Sequence, residues 1–90
     1  MFFVYILKSQ KSGKFYIGQT NNLELRIKRH NMGRVLSTKS GIPWQLIFQN
    51  EYQTREEAIN IERKLKGLKK RDLIIEFASK NNFRGIAQSG

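Results

Sequence analysis

The stretch Phe15-Tyr16-Ile17-Gly18-Gln19-Thr20-Asn21-Asn22-Leu23-Glu24-Leu25-Arg26-Ile27-Lys28-Arg29-His30 constrains the fold more than any other part of the chain. It begins as a strand, with Phe15 and Ile17 on one side and Tyr16 and Gly18 on the other. A polar turn follows, and Asn21 with Glu24 three residues later offers a capping box for a helix of roughly Asn22 to Met32, stopped at Gly33. At about 100° per residue, Leu23, Arg26, Ile27 and His30 share one side of that helix. An arginine and the only histidine of the chain therefore lie on the stripe that should face a sheet. Polar groups there are costly unless they have a partner or a task.

The rest of the chain supplies the sheet. Phe2-Phe3-Val4-Tyr5-Ile6-Leu7 is aromatic and branched throughout, as in a strand buried on both faces. A Ser12-Gly13 turn joins it to the Phe15–Gln19 strand as a hairpin, which can bring Tyr5 near Tyr16. Residues 33–43 read as an exposed, mobile basic loop. Trp44 to Tyr52 alternates as a third strand, with Trp44, Leu46 and Phe48 expected on one face. Thr54 and Glu57 form a second capping box opening a helix to about Lys66, with Ala58, Ile61 and Leu65 as its stripe and Glu62 within it. A break is expected near Gly67, then a helix over Arg71–Lys80 burying Leu73, Ile74 and Phe77. The expected fold is α+β: a three-stranded antiparallel β-sheet flanked by about three helices, in the order β-β-α-β-α-α. Residues 1–80 would form one domain and 81–90 a disordered tail.

Charge narrows the partners. Seventeen Lys and Arg against seven Asp and Glu leave +10, which favours a polyanion, nucleic acid above all. No apolar run approaches the roughly 18 residues of a membrane span, and the Met1–Leu7 start reads as a strand, not a signal peptide, so a cytoplasmic protein with no membrane partner is expected. The absence of cysteine removes disulfides and thiolate chemistry, and one histidine excludes a multi-histidine metal site. A metal would sit on carboxylate oxygen, which favours one Mg²⁺ or Mn²⁺ ion. Tyr5, Tyr16, Arg26, His30 and Glu62 together fit metal-assisted hydrolysis of a phosphodiester. Glu62 can hold an ion, Arg26 can stabilise phosphate charge, and a Tyr or His can take the proton of an attacking water.

These residues carry a resemblance. Phe3-Val4-Tyr5, a hairpin turn, Tyr16-Ile17-Gly18, the Arg26 and His30 helix, Pro43-Trp44 and the helical Glu62 with a basic run behind it stand in order over about Phe2 to Leu73. The pattern resembles the GIY-YIG nuclease superfamily, and within it the small stand-alone bacterial single-domain branch. The resemblance implies a metal-dependent DNA endonuclease, an activity used in DNA repair or recombination, working with one divalent ion. It implies that Tyr5 and Tyr16 are the motif tyrosines, Arg26 the catalytic arginine, His30 a group near the reacting phosphate, Glu62 the metal ligand and Gly18 the motif glycine. The first motif departs from the family pattern, because Phe3-Val4 replaces Gly-Ile.

Six of the nine positions from Arg63 to Arg71 are basic, and Lys64, Lys66, Lys69 and Lys70, with Lys28, Arg29, Arg34 and Lys39, are the expected phosphate contacts. A solvated helix face, strand tyrosines, a snorkelling Arg26, a satisfied buried His30 and a structural Glu62 ion pair are the bland readings of the same residues. Trp44 reads as a core anchor at a strand start. The functional alternatives to an enzyme are a non-catalytic nucleic-acid-binding module of the same fold, and a small basic protein recruited by a protein partner. A partner that selects the substrate is also compatible with a domain of this size.

Overall fold

A computed structural model describes residues 1–81. The tail expected from Asn81 onward loses its first residue to the last helix, and the rest of it lies outside the described residues. Three strands, β1 (Phe2–Ser9), β2 (Phe15–Thr20) and β3 (Trp44–Tyr52), form an antiparallel sheet in the order β2-β1-β3. Helix α1 (Leu23–Asn31) follows β2, a short 3-10 helix (Leu36–Gly41) leads into β3, and α2 (Arg55–Leu68) and α3 (Arg71–Asn81) close the described chain. This is the expected α+β order with one added 3-10 turn.

The central strand β1 separates two apolar clusters. Val4 and Ile6 join Ile17, Phe48, Ala58, Leu65, Ile74 and Ala78 on the side of α2 and α3. Tyr5 and Leu7 join Trp44, with Tyr16, Leu23, Ile27, Ile42 and Leu46 packed around them, on the side of α1. Val4 through Leu7 are fully buried, as a central strand covered on both faces requires.

Phe48 departs from the expected alternation. The pairing of β1 with β3 passes from Ile6–Phe48 to Leu7–Leu46, so Ile47 is an extra residue in a β-bulge. Trp44 and Leu46 pack with the Tyr5 cluster, and Phe48 is shifted to the opposite one. The bulge lets one strand anchor both layers.

Four further expectations change. The cap of α1 is Asn22, whose side chain accepts from the Leu25 amide, so the Asn21–Glu24 box does not form. The loop at 33–43 is partly structured: Thr38 and Gly41 of the 3-10 helix are buried, because the Trp44 indole donates to the Thr38 carbonyl at 2.8 Å and the Ser9 hydroxyl donates to the Gly41 carbonyl at 2.6 Å. Helix α2 runs through Gly67 without a break and ends where Lys69 turns left-handed. In α3 Leu73 faces solvent, while Ile74 and Ala78 are buried. The Thr54–Glu57 capping box forms as expected.

Candidate active site

The site is built on the α1 side of the hairpin, from adjacent cross-strand positions. Tyr5 is paired with Gly18, and Leu7 with Tyr16. The Tyr5 ring therefore lies across Gly18, and a Cβ built there would stand 2.6 Å from the Tyr5 hydroxyl oxygen and 2.8 Å from Cζ. Only glycine leaves room for the ring. Tyr16 lies beside Tyr5, with ring centroids 6.2 Å apart, and beside His30 at 4.8 Å.

His30 closes the site from below. It is fully buried, and both ring nitrogens are engaged: Nε2 with the Tyr5 hydroxyl at 3.0 Å and Nδ1 with Thr38 Oγ1 at 2.8 Å. Thr38 donates its hydroxyl hydrogen to the Val35 carbonyl at 3.3 Å, so its oxygen is left to accept. The network thus assigns the proton to Nδ1, and Nε2 accepts from Tyr5. Burial, assisted by the nearby Arg26 charge, lowers the His30 pKa to about 4, so the ring is neutral near pH 7. The ring is thus fully buried with both nitrogens engaged, and Tyr5 is its hydrogen-bonded link to Arg26.

Burial also pushes the Tyr5 phenol up to about 12, against the opposing effect of hydrogen bonding to Arg26. The Arg26 guanidinium is raised, first by hydrogen bonding to Tyr5 and to a smaller degree by Tyr16. Helical spacing explains the arrangement. Arg26 and His30 are one turn apart on α1, so the arginine stands at the open edge of the tyrosines and the histidine behind them.

Glu62 comes from α2, which covers the other face of the sheet. Its charge nevertheless raises the Tyr5 phenol slightly, by less than burial, Arg26 or Tyr16 shifts it. The carboxylate is only partly exposed and pairs with Lys66 at 2.8 Å. Among the described residues no three His, Cys, Asp or Glu side chains converge as a metal cage. A single carboxylate suits a hard ion that keeps waters and takes further oxygens from a phosphate, as Mg²⁺ does, and does not suit a closed zinc centre.

The expected nucleic-acid residues are dispersed. Lys28, Arg29, Arg34 and Lys39 are exposed on or after α1. Lys64, Lys66, Lys69 and Lys70 are exposed on α2 and just beyond it. Some of this charge has local work: Lys66 holds Glu62, Lys64 lies over the Phe77 ring, and Arg71 caps the Phe15 ring and donates to the Gly13 carbonyl. Two residues that sequence reasoning passed over belong to the site. Thr38 fixes the His30 proton, and Asn31 ties α1 to β3 by accepting from the Trp44 amide at 2.6 Å and donating to its carbonyl at 3.2 Å. The signal for Thr38 was the buried histidine itself, whose second nitrogen had to find a partner.

Known proteins share this sequence pattern and fold. The GIY-YIG catalytic domain family matches residues 1–75. The UPF0213 protein YazA of Bacillus subtilis is 40% identical over 77 residues, covering 82% of this chain and 77% of that protein. A UPF0213 protein of Streptococcus pneumoniae is 34% identical over 85 residues, covering 93% and 84% respectively. The solution NMR structure of the UPF0213 protein BH0048 from Bacillus halodurans superposes with a TM-score of 0.59 at 30% identity, covering 91% of this chain and 87% of that one.

Proposed function

This chain belongs to the GIY-YIG catalytic domain family, a nuclease-type family, and from that premise we propose that it is a metal-dependent DNA endonuclease that hydrolyses phosphodiester bonds. The observation that carries the reading is the Tyr5 hydroxyl, held between the neutral Nε2 of His30 and the Arg26 guanidinium.

Tyr5 is a relay in this reading. With its pKa at about 12, a preformed phenolate is scarce near pH 7. Its own proton already points at His30, and its oxygen accepts from Arg26. As a bound phosphodiester draws Arg26 from the buried Tyr5 oxygen, a proton of the attacking water passes to that oxygen while Tyr5 passes its own to Nε2. A histidine held near pKa 4 is a weak acceptor at rest. The Arg26 charge is one cause of that value, and a phosphodiester bound to Arg26 offsets it, so substrate makes the acceptor stronger when it is needed. Arg26 also donates to the charge that builds on the phosphoryl oxygens. Tyr16 shields the relay from bulk water. Glu62 would hold one Mg²⁺ or Mn²⁺ ion, exchanging Lys66 for it. The bound ion supplies charge neutralisation at the phosphate and a more acidic water.

The test is cleavage of plasmid and branched DNA with and without Mg²⁺, by wild type, Arg26→Ala and Glu62→Ala. Metal-dependent cutting that falls by two orders of magnitude or more in both variants is expected. Equal cutting by all three would sink the assignment. Salt-sensitive binding with no cutting under any metal would identify the alternative, a binding module that kept the fold without turnover.

A further inference from the structure

A cleft of about 230 Å³ opens beside Arg26, between the end of β2, the start of α1 and the first residue of α2. Arg26, Arg29 and Arg55 line it, and no acidic side chain does. None of the three forms an ion pair with a described residue, whereas Lys66 and Lys80 are both paired. Like charges facing one concavity repel, and the arrangement is stable only in so far as water or an anion screens it.

Two of the three arginines are also held in place, Arg26 by hydrogen bonding to Tyr5 and Arg55 by a ring. Arg26 and Arg29 are three residues apart on α1, which makes them neighbours at about 5–6 Å between Cβ atoms. Arg55 comes from a different element, and its guanidinium carbon rests 4.9 Å from the centre of the Phe2 ring. A stacked guanidinium keeps its planar fork of donors for a second ligand. Gln19 also lines the cleft, and its Oε1 is buried without a hydrogen-bond partner among the described residues.

We propose that Arg29 and Arg55 form a subsite for a second phosphate of the cleaved strand, next to the phosphate held at Arg26. The proposal rests on the nuclease reading for the identity of the first phosphate. It makes the substrate a strand that continues past the cut on the cleft side. It also separates two tasks among three arginines: Arg26 acts on the reacting phosphate, Arg29 and Arg55 on binding and register.

The experiment uses the full chain and fluorescent branched oligonucleotides. Binding is read by anisotropy over a salt series for wild type, Arg29→Ala, Arg55→Ala, Arg55→Lys and Lys11→Ala. Lys11 lies at the far end of the hairpin. Arg29→Ala and Arg55→Ala should each weaken binding about 5–10-fold and lower the salt slope by about one, with Arg55→Lys recovering part of the loss and Lys11→Ala within twofold of wild type. In cleavage, both alanine variants should raise KM and leave kcat near wild type. A methylphosphonate at the phosphate flanking the cut should reproduce the Arg55→Ala loss in wild type and add nothing in Arg55→Ala. Thermal melts establish that the variants fold. Binding and salt slope unchanged in both alanine variants overturn the subsite even if wild type cuts DNA. Loss of binding in those variants, with no cutting by wild type, leaves the subsite standing and overturns the nuclease reading instead.

Discussion

At Gly18 one added methyl group would occupy the space of the Tyr5 hydroxyl. The position is paired to Tyr5 across the hairpin, so the clash cannot be relieved by a rotamer of the incoming side chain. Gly18→Ala should displace Tyr5 from His30 and Arg26, lower any cleavage rate at least tenfold, and cost about 1–3 kcal/mol in a denaturant titration. Wild-type rate and stability in the Gly18→Ala variant would show that the Tyr5 position does not matter. Sequence reasoning picked out this glycine by its motif, while the reason for it is a contact between residues 13 apart in the chain. The conflict noticed in α1 resolves in the same way. Arg26 and His30 violate an apolar stripe only when the helix is viewed alone, because the stripe faces two tyrosines, not a hydrocarbon wall.

At the level of elements, the bulge in β3 decides which layer each aromatic joins. Ile47 is the extra residue, so its removal restores a regular ladder with Leu46 and Phe48 still on opposite faces. Deleting Ile47 should leave a cooperatively folding protein, at a cost of about 1–3 kcal/mol from its lost packing. Deleting Gln45 instead turns Trp44 to the wrong face, away from Tyr16 and the Thr38 carbonyl, and should abolish cooperative unfolding. Thermal melts of the two deletions check this, and equal stability of both would refute the assigned register. Alternation in the sequence showed a strand here. It could not show a bulge, because an extra residue leaves no mark until the partner strand is present.

For the molecule as a whole, the buried histidine ties stability to pH. His30 titrates at about 4 in the folded protein and near its ordinary 6.5 when unfolded. Between those values the unfolded chain binds a proton that the folded one does not, so stability must fall as pH drops from about 6.5 to about 4. At about 1.4 kcal/mol for each pH unit, the loss reaches about 3 kcal/mol. Urea midpoints measured from pH 7 to 4 should fall in wild type, and the slope should flatten in His30→Gln, which keeps a polar side chain that does not titrate. A wild-type profile flat over that window would show that His30 is not held neutral. Two apolar layers cover the two faces of one strand, and no helix among the described residues is long and apolar enough to cross a membrane.

The stretch from Phe15 to His30 carried, by itself, a strand, a turn, a helix and a polar intrusion into an apolar stripe. With the remaining periodicities it determined the order of elements, because hydrophobic spacing and capping are local. Which groups the intrusion would meet was decided only in three dimensions. The Tyr5 hydroxyl, His30, Thr38 and Arg26 are up to 33 residues apart and share a network because the hairpin register and the 3-10 turn bring them together. Arg55 likewise joins the cleft of Arg26 and Arg29 because α2 begins beside the end of β2, a juxtaposition that long-range packing sets and no local spacing records.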